Sequence, residues 1–181
     1  MIFEAPNLFI LNGAQVLVPK YPSVKVQDCG IIRLKNQDYL CLAISPDGVA
    51  TVLTPSGDLK RIALEFKTPA QIKRSDPNQK GCRPMYILQV HAEMVALEAD
   101  EAYLVSWGPV ITRVYHIKFD AELWGLVEKW LTESRAEDFV LPGKMPDICV
   151  EIMKRCEQIA KKATEDRNPP VNSVHASRGS G

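Results

Sequence analysis

The stretch Leu64-Glu65-Phe66-Lys67-Thr68-Pro69 sets the tightest limit on how this chain folds. Its alternation reads as a β-strand, in which successive side chains point to opposite faces. Leu64 and Phe66 then enter a core on one face. Ala63, Glu65 and Lys67 share the other, which places an acid beside an amine on an otherwise apolar sheet. Pro69 has no N–H to donate and ends the ladder. Taken alone, a Glu-x-Lys pair is most simply a solvated ion pair of small energetic consequence. Its neighbours give it more meaning. Ser45-Pro46-Asp47-Gly48 closes an apolar run upstream, and downstream a helix carries a glutamine inside its apolar stripe.

The flanking segments build outward from that strand. Val49–Thr54 and Arg61–Lys67 form a hairpin around Pro55-Ser56-Gly57-Asp58, which brings Asp47 near Glu65. Val24 to Val26, Cys29 to Leu34 and Tyr39 to Ile44 read as strands, with Lys35-Asn36-Gln37-Asp38 as a turn. Pro46-Asp47-Gly48 also suits a tight turn, with Pro presetting φ and Gly accepting positive φ. In residues 1–23, Leu8–Leu11 and Val16–Val18 are apolar runs split by Asn12-Gly13, a hairpin signal. Pro6, Pro19 and Pro22 discourage a long helix there.

Residues 70–84 make a polar loop holding Lys73, Arg74, Lys80 and Arg83, which reads equally as solvated surface or as a phosphate-gripping patch. Pro84 suits the first position of a helix. From it Tyr86, Gln89, Val90, Glu93, Met94 and Leu97 recur on one helical stripe, with Tyr86, Gln89 and Glu93 interrupting the side that meets the sheet. A buried glutamine needs a hydrogen-bonding partner, and an active site at the sheet edge supplies one.

Ala102–Trp107 and Ile111–Lys118 alternate and join through Gly108-Pro109 as a further hairpin. Asp120 is placed to cap a helix with the apolar stripe Leu123, Trp124, Val127, Trp130 and Leu131. Pro142-Gly143 breaks the chain. A last helix spans about Pro146 to Lys162, with Ile148, Ile152, Cys156, Ile159 and Ala160 inward. Residues 1–163 are thus expected as one domain, with 1–23 an atypical N-terminal part and 164–181 a disordered tail.

Composition narrows the class. With 181 residues, 46% hydrophobic and 24% charged, the chain has the make-up of an ordinary globular domain. Lys+Arg and Asp+Glu are both 22, so any contact with nucleic acid must come from a local patch. Five cysteines without C-x-x-C spacing, beside three histidines, argue against a zinc site or a disulfide framework and for a reducing compartment. No run reaches membrane-span length, and Glu4 with no early Lys or Arg argues against a signal peptide. An intracellular protein, cytoplasmic or nuclear according to its host, is the expectation.

The ordered words SPDG at 45–48, ALEFKTP at 63–69, MYILQVHAEM at 85–94 and AYLVSW at 102–107, followed by VYHIKFDAELW at 114–124, resemble the PD-(D/E)xK nuclease superfamily. Within it they resemble the phage lambda exonuclease and YqaJ-type viral recombinase (alkaline exonuclease-like) family, over residues 24–135. The resemblance implies an α/β fold with a restriction-endonuclease-like core, a mixed and mostly antiparallel central sheet flanked by helices. It implies a metal-dependent deoxyribonuclease, an exonuclease acting on duplex DNA ends in recombination or repair.

Asp47 and Glu65, with the backbone carbonyl of Phe66, are the implied ligands of Mg²⁺ or Mn²⁺, hard cations that prefer oxygen. Lys67 would hold or deprotonate the attacking water, and Gln89 and Tyr86 would orient that lysine or the substrate phosphate. Lys73, Arg74, Lys80 and Arg83, with Ser45 of the upstream motif, are the implied DNA contacts. The family's ring-shaped trimers imply self-association.

The family also has an N-terminal helix whose glutamate completes the metal site. No such helix is legible here, and Glu4 is the only acid before Asp28. That gap predicts an under-covered side of the sheet and an exposed apolar patch near Leu8–Leu11. It also keeps two alternatives open: a catalytically weak or degenerate DNA-binding member of the fold, and a metal-independent interaction domain.

Overall fold

The computed structural model describes residues 2–3, 8–11, 14–17, 24–34, 42–54, 56–67, 82–106, 113–133 and 145–165. In chain order its strands are β1 (Ile2–Phe3), β2 (Leu8–Leu11), β3 (Ala14–Leu17), β4 (Val24–Gln27), β5 (Ile32–Arg33), β6 (Ala43–Ile44), β7 (Gly48–Leu53), β8 (Leu59–Lys67), β9 (Glu101–Ser106) and β10 (Arg113–Lys118). The helices are α1 (Pro84–Leu97), between β8 and β9, then α2 (Ala121–Glu133) and α3 (Asp147–Glu165) after β10.

Six strands form the central sheet in the order β1-β4-β7-β8-β9-β10. Its pairings are antiparallel except for β8 with β9, which run parallel. Antiparallel neighbours close through tight turns, whereas a parallel pair needs a crossover, and α1 lies in that connection. The fold is therefore mixed α/β with a mostly antiparallel central sheet flanked by three helices, compatible with a restriction-endonuclease-like core.

The local signals act where the residue chemistry places them. In the β7–β8 turn, Gly57 takes φ +91°, a region open to glycine, and its N–H donates to Thr54 O at 2.9 Å. Asp58 N–H donates to Thr54 Oγ1 at 3.1 Å, while Ser56 Oγ donates to Asp58 Oδ2 at 2.6 Å. β2 and β3 pair as the hairpin expected of their apolar runs. β5 and β6 pair as a short two-stranded sheet. Asn12-Gly13, residues 35–41, Gly108-Pro109, Pro142-Gly143 and the tail from Asp166 lie outside the described residues. α3 runs to Glu165, three residues beyond the Lys162 expected as the end of the last helix.

The alternation of β8 divides the core as expected. Ala63 faces α1 and joins Ile87, Val90, Met94, Leu104, Tyr115 and Ile117 in the larger cluster, which also takes in buried residues of α2 and α3. Ile62 and Leu64 face the other way, with Ala50, Val52, Tyr103, Val105 and Val114. An under-covered sheet face is not observed among these residues: Ala50, Val52, Ile62, Leu64 and Val105 are all 0% exposed. The side chains of Leu8–Leu11 lie outside the described part.

A buried histidine ties α1 to the start of α2. Asp120 caps α2 as its position predicts, its Oδ1 accepting from Leu123 N–H at 2.8 Å, and Arg155 of α3 donates to both its oxygens. The Asp120 N–H donates to His91 Nε2 at 3.1 Å, so the ring proton sits on Nδ1, which donates to Ile87 O at 2.8 Å.

Burial holds the His91 pKa below its ordinary value of 6.5. Below that pH the unfolded chain binds a proton that the folded chain refuses, so stability falls on acidification and is fully present above pH 6.5. Urea midpoints at pH 7.5 and pH 5.5 are expected to separate more in the wild-type chain than in His91→Gln. Equal separations would show that His91 does not contribute to this pH dependence.

Candidate active site

The end of the sheet where β7 begins and β8 ends gathers the polar residues. Gly48 pairs with Leu64 as the last pair of the β7–β8 ladder, and before it the chain bends at Asp47, which follows Pro46. The Asp47 side chain takes the place of a strand neighbour, its Oδ2 accepting from Phe66 N–H at 2.8 Å. The N–H and C=O of one strand residue point to the same side. The Phe66 carbonyl therefore faces the side where Asp47 sits.

On the helix-facing side of β8, Glu65 and Lys67 meet Gln89 of α1. Lys67 Nζ donates to Glu65 Oε1 and, at 2.8 Å, to Gln89 Oε1. Gln89 Nε2 donates to Glu65 Oε1 at 2.6 Å and to Glu93 Oε1 at 2.9 Å. Lys67 Nζ lies 5.1 Å from the centre of the Tyr86 ring, and the Arg83 guanidinium lies 5.9 Å from the same ring. Both distances suit cation–π attraction.

The two carboxyls of the network are buried. Glu65 is 3% exposed and Glu93 0% exposed. Burial raises the Glu65 pKa, the Lys67 hydrogen bond and charge oppose the shift, and the Asp47 charge adds to it, leaving it raised. Burial, with the Glu65 charge next, pushes Glu93 up to about 9, so it is neutral at pH 7. Glu65 Oε2 and Glu93 Oε2 are buried with no donor near them but the carboxyl proton they share, and Ser106 Oγ is buried without a hydrogen-bond partner. Ser106 pairs with Lys67 across the parallel β8–β9 ladder, so all three oxygens belong to this end of the sheet. Buried oxygens without partners are uncommon in native proteins and point to a missing cation, proton or water.

Asp47, Glu65, Phe66, Lys67, Gln89 and Tyr86 are thus brought together as the sequence predicts. Arg83 stands at the mouth of the group as the exposed N-cap of α1, with Pro84 following at the first helical turn. Ser45 is exposed two residues before Asp47. Lys73, Arg74 and Lys80 lie outside the described residues, as does Glu4. Glu93 is the participant that the site assignment omitted. Its signal was available, because it follows Gln89 by four residues on the same stripe.

The donor set fits a hard divalent cation. Glu65 offers a buried carboxylate oxygen, Asp47 retains its second oxygen, and the Phe66 carbonyl faces Asp47. Among the described residues no three His, Cys, Asp or Glu side chains form a metal-binding group. Two carboxylates and a carbonyl with water filling the remaining positions is an arrangement suited to Mg²⁺, which keeps several waters.

No protein-family model matches the chain, and no curated protein sequence does. Among solved structures the chain is similar to SSO0001, at 16% identity over 61% of this chain and 52% of that one, with a TM-score of 0.39. It is also similar to LHK-Exo in complex with dAMP, at 19% identity over 78% of this chain and 64% of that one, with a TM-score of 0.42. The chain therefore spans less than two thirds of the length of either. Among the described residues no helix is long and apolar enough to cross a membrane.

Proposed function

We propose that this chain is a metal-dependent deoxyribonuclease that degrades duplex DNA from its ends in recombination or repair, with Mg²⁺ or Mn²⁺ as cofactor. The observation that carries the proposal is the joined set Glu65, Lys67 and Gln89, with Asp47 held against Phe66 N–H at the same strand end.

Asp47, Glu65 and the Phe66 carbonyl would hold the cation. When bound, it supplies charge neutralisation for the phosphate and acidifies a water molecule. The chain's own groups do the positioning. Lys67 Nζ, anchored by Glu65 Oε1 and Gln89 Oε1, directs a hydrogen bond at the attacking water and offsets charge on the phosphate. The Tyr86 ring lies beside the ammonium and restricts its swing. Arg83, exposed at the start of α1, would meet a phosphate of the DNA backbone. The burial of Glu65 strengthens its contact with Lys67 relative to water.

The test is hydrolysis of linear duplex DNA with open and with blocked ends, under Mg²⁺, Mn²⁺, Ca²⁺ or chelator. Loss of open-ended DNA with Mg²⁺ or Mn²⁺ only, and protection by end-blocking, is expected. Equal cutting of blocked DNA would make the enzyme an endonuclease. DNA binding without hydrolysis under any metal would return the chain to a degenerate, DNA-binding role. The second reading has one observation in its favour, the absence of a three-acid metal group among the described residues.

A further inference from the structure

Glu93 is fully buried in α1, four residues beyond Gln89 and on the same helix face. A glutamine amide is nearly symmetric in shape and opposite in chemistry at its two ends, so only its partners decide which way it points. Turned over, Gln89 would set its NH₂ against the Lys67 ammonium and its oxygen against Glu65 Oε1, and both contacts repel. In the observed orientation the amide is saturated. Its oxygen accepts from Lys67 at 2.8 Å, and its nitrogen donates to Glu65 Oε1 at 2.6 Å and Glu93 Oε1 at 2.9 Å.

We propose that Glu93 is a positioning residue: its Oε1 takes one hydrogen of the Gln89 amide, and so keeps the amide oxygen against Lys67 Nζ. The consequence for turnover rests on the nuclease reading of the site, whereas the hydrogen-bond geometry does not. Removing this acceptor leaves one N–H of the half-buried Gln89 amide without its partner, and an amide in that state swings toward whatever acceptor remains. Here the remaining acceptor is Glu65 Oε1, which is already shared with Lys67. The expected result is a lysine that is present but loosely aimed. That defect lowers kcat and leaves KM unchanged, because Glu93 itself does not reach the substrate.

A cation ligand would behave differently. Glu93 Oε2 meets no donor but the proton shared with Glu65, so a direct contact with the metal is the competing role. The two roles separate at Glu93→Gln, which keeps a carbonyl oxygen to accept from Gln89 but loses the ionisable carboxyl that a cation would need.

Glu93→Met, similar in length and without an acceptor, is expected to lower kcat for DNA roughly ten- to a hundredfold. KM for DNA and Mn²⁺ affinity by calorimetry should stay at wild-type values. Glu93→Gln is expected to recover most of the loss. In a Gln89→Met background, Glu93→Met should add nothing further, because residues acting through one another are not additive. If Glu93→Met does not fold, Glu93→Ala takes its place with the same expectations.

The idea is overturned if Glu93→Gln is as slow as Glu93→Met, if either weakens Mn²⁺ binding, or if the double variant shows additive losses. Should the wild-type chain cut no DNA, the nuclease reading fails and the side-chain amide of Gln89 decides the positioning role by NMR. Slow hydrogen exchange in wild type and Glu93→Gln, lost in Glu93→Met, supports it. Equal exchange in all three overturns it.

Discussion

Lys67→Ala is expected to leave a folded protein that hydrolyses DNA more slowly by roughly two to four orders of magnitude. Lys67 closes β8 at the last pair of its ladder with β9, opposite Ser106, so the strand register does not depend on its side chain. What the substitution removes is the ammonium that meets Glu65 Oε1, Gln89 Oε1 and the Tyr86 ring. General acid–base help of this kind contributes about 10²–10⁴ in rate, and the lost positive charge acts beside the buried Glu65 carboxylate.

The Glu65 carboxylate is then left buried without its ion partner, a situation that costs roughly 3–5 kcal/mol unless it is relieved by protonation. Burial already raises the Glu65 pKa, so protonation is the cheaper relief. Stability is therefore expected to change less than the rate. Single-turnover hydrolysis under saturating Mg²⁺, beside a urea titration of the same variant, measures both. Wild-type turnover in a folded Lys67→Ala protein would remove the lysine from the chemistry and with it the assignment of this strand end.

Calorimetric titration with Mn²⁺ is expected to find one tight site in the wild-type chain, weakened more than roughly a hundredfold by Glu65→Ala or by Asp47→Ala. Loss of a direct ligand should exceed the ten- to hundredfold effect of an outer-shell change. A two-metal centre holds its ions about 3.5–4 Å apart and needs carboxylates enough to bridge and flank both. The described residues offer Asp47 and Glu65 with the Phe66 carbonyl, and no group of three acids or other metal-ligating side chains. Glu93 is near, but it is spoken for by Gln89, and burial together with the Glu65 charge favours its neutral form. Two tight and equivalent sites would contradict this reading, and Glu4 would then be the first residue to substitute.

Much of this molecule follows from short-range chemistry that a sequence carries openly. The β7–β8 hairpin, the helix start at Pro84, the cap at Asp120 and the stripe of α3 each depend on a few neighbouring residues. Turn geometry, capping and periodicity act over that range. The strand period alone put Glu65 and Lys67 on one face, and the helix period put Gln89 and Glu93 on one stripe.

Tertiary structure decided what those faces meet. The parallel pairing of β8 with β9 and the recruitment of β1 beside β4 join segments far apart in the chain, and no local preference selects between such partners. The placing of Asp47 against the Phe66 N–H depends on where the β7–β8 ladder stops, at Gly48 with Leu64. The role of Glu93 is the clearest case. In the sequence it is one polar residue among apolar ones. Only when α1 packs on the sheet does its carboxyl become fully buried beside Glu65, because desolvation and hydrogen-bond partners belong to the packed interface and not to the residue.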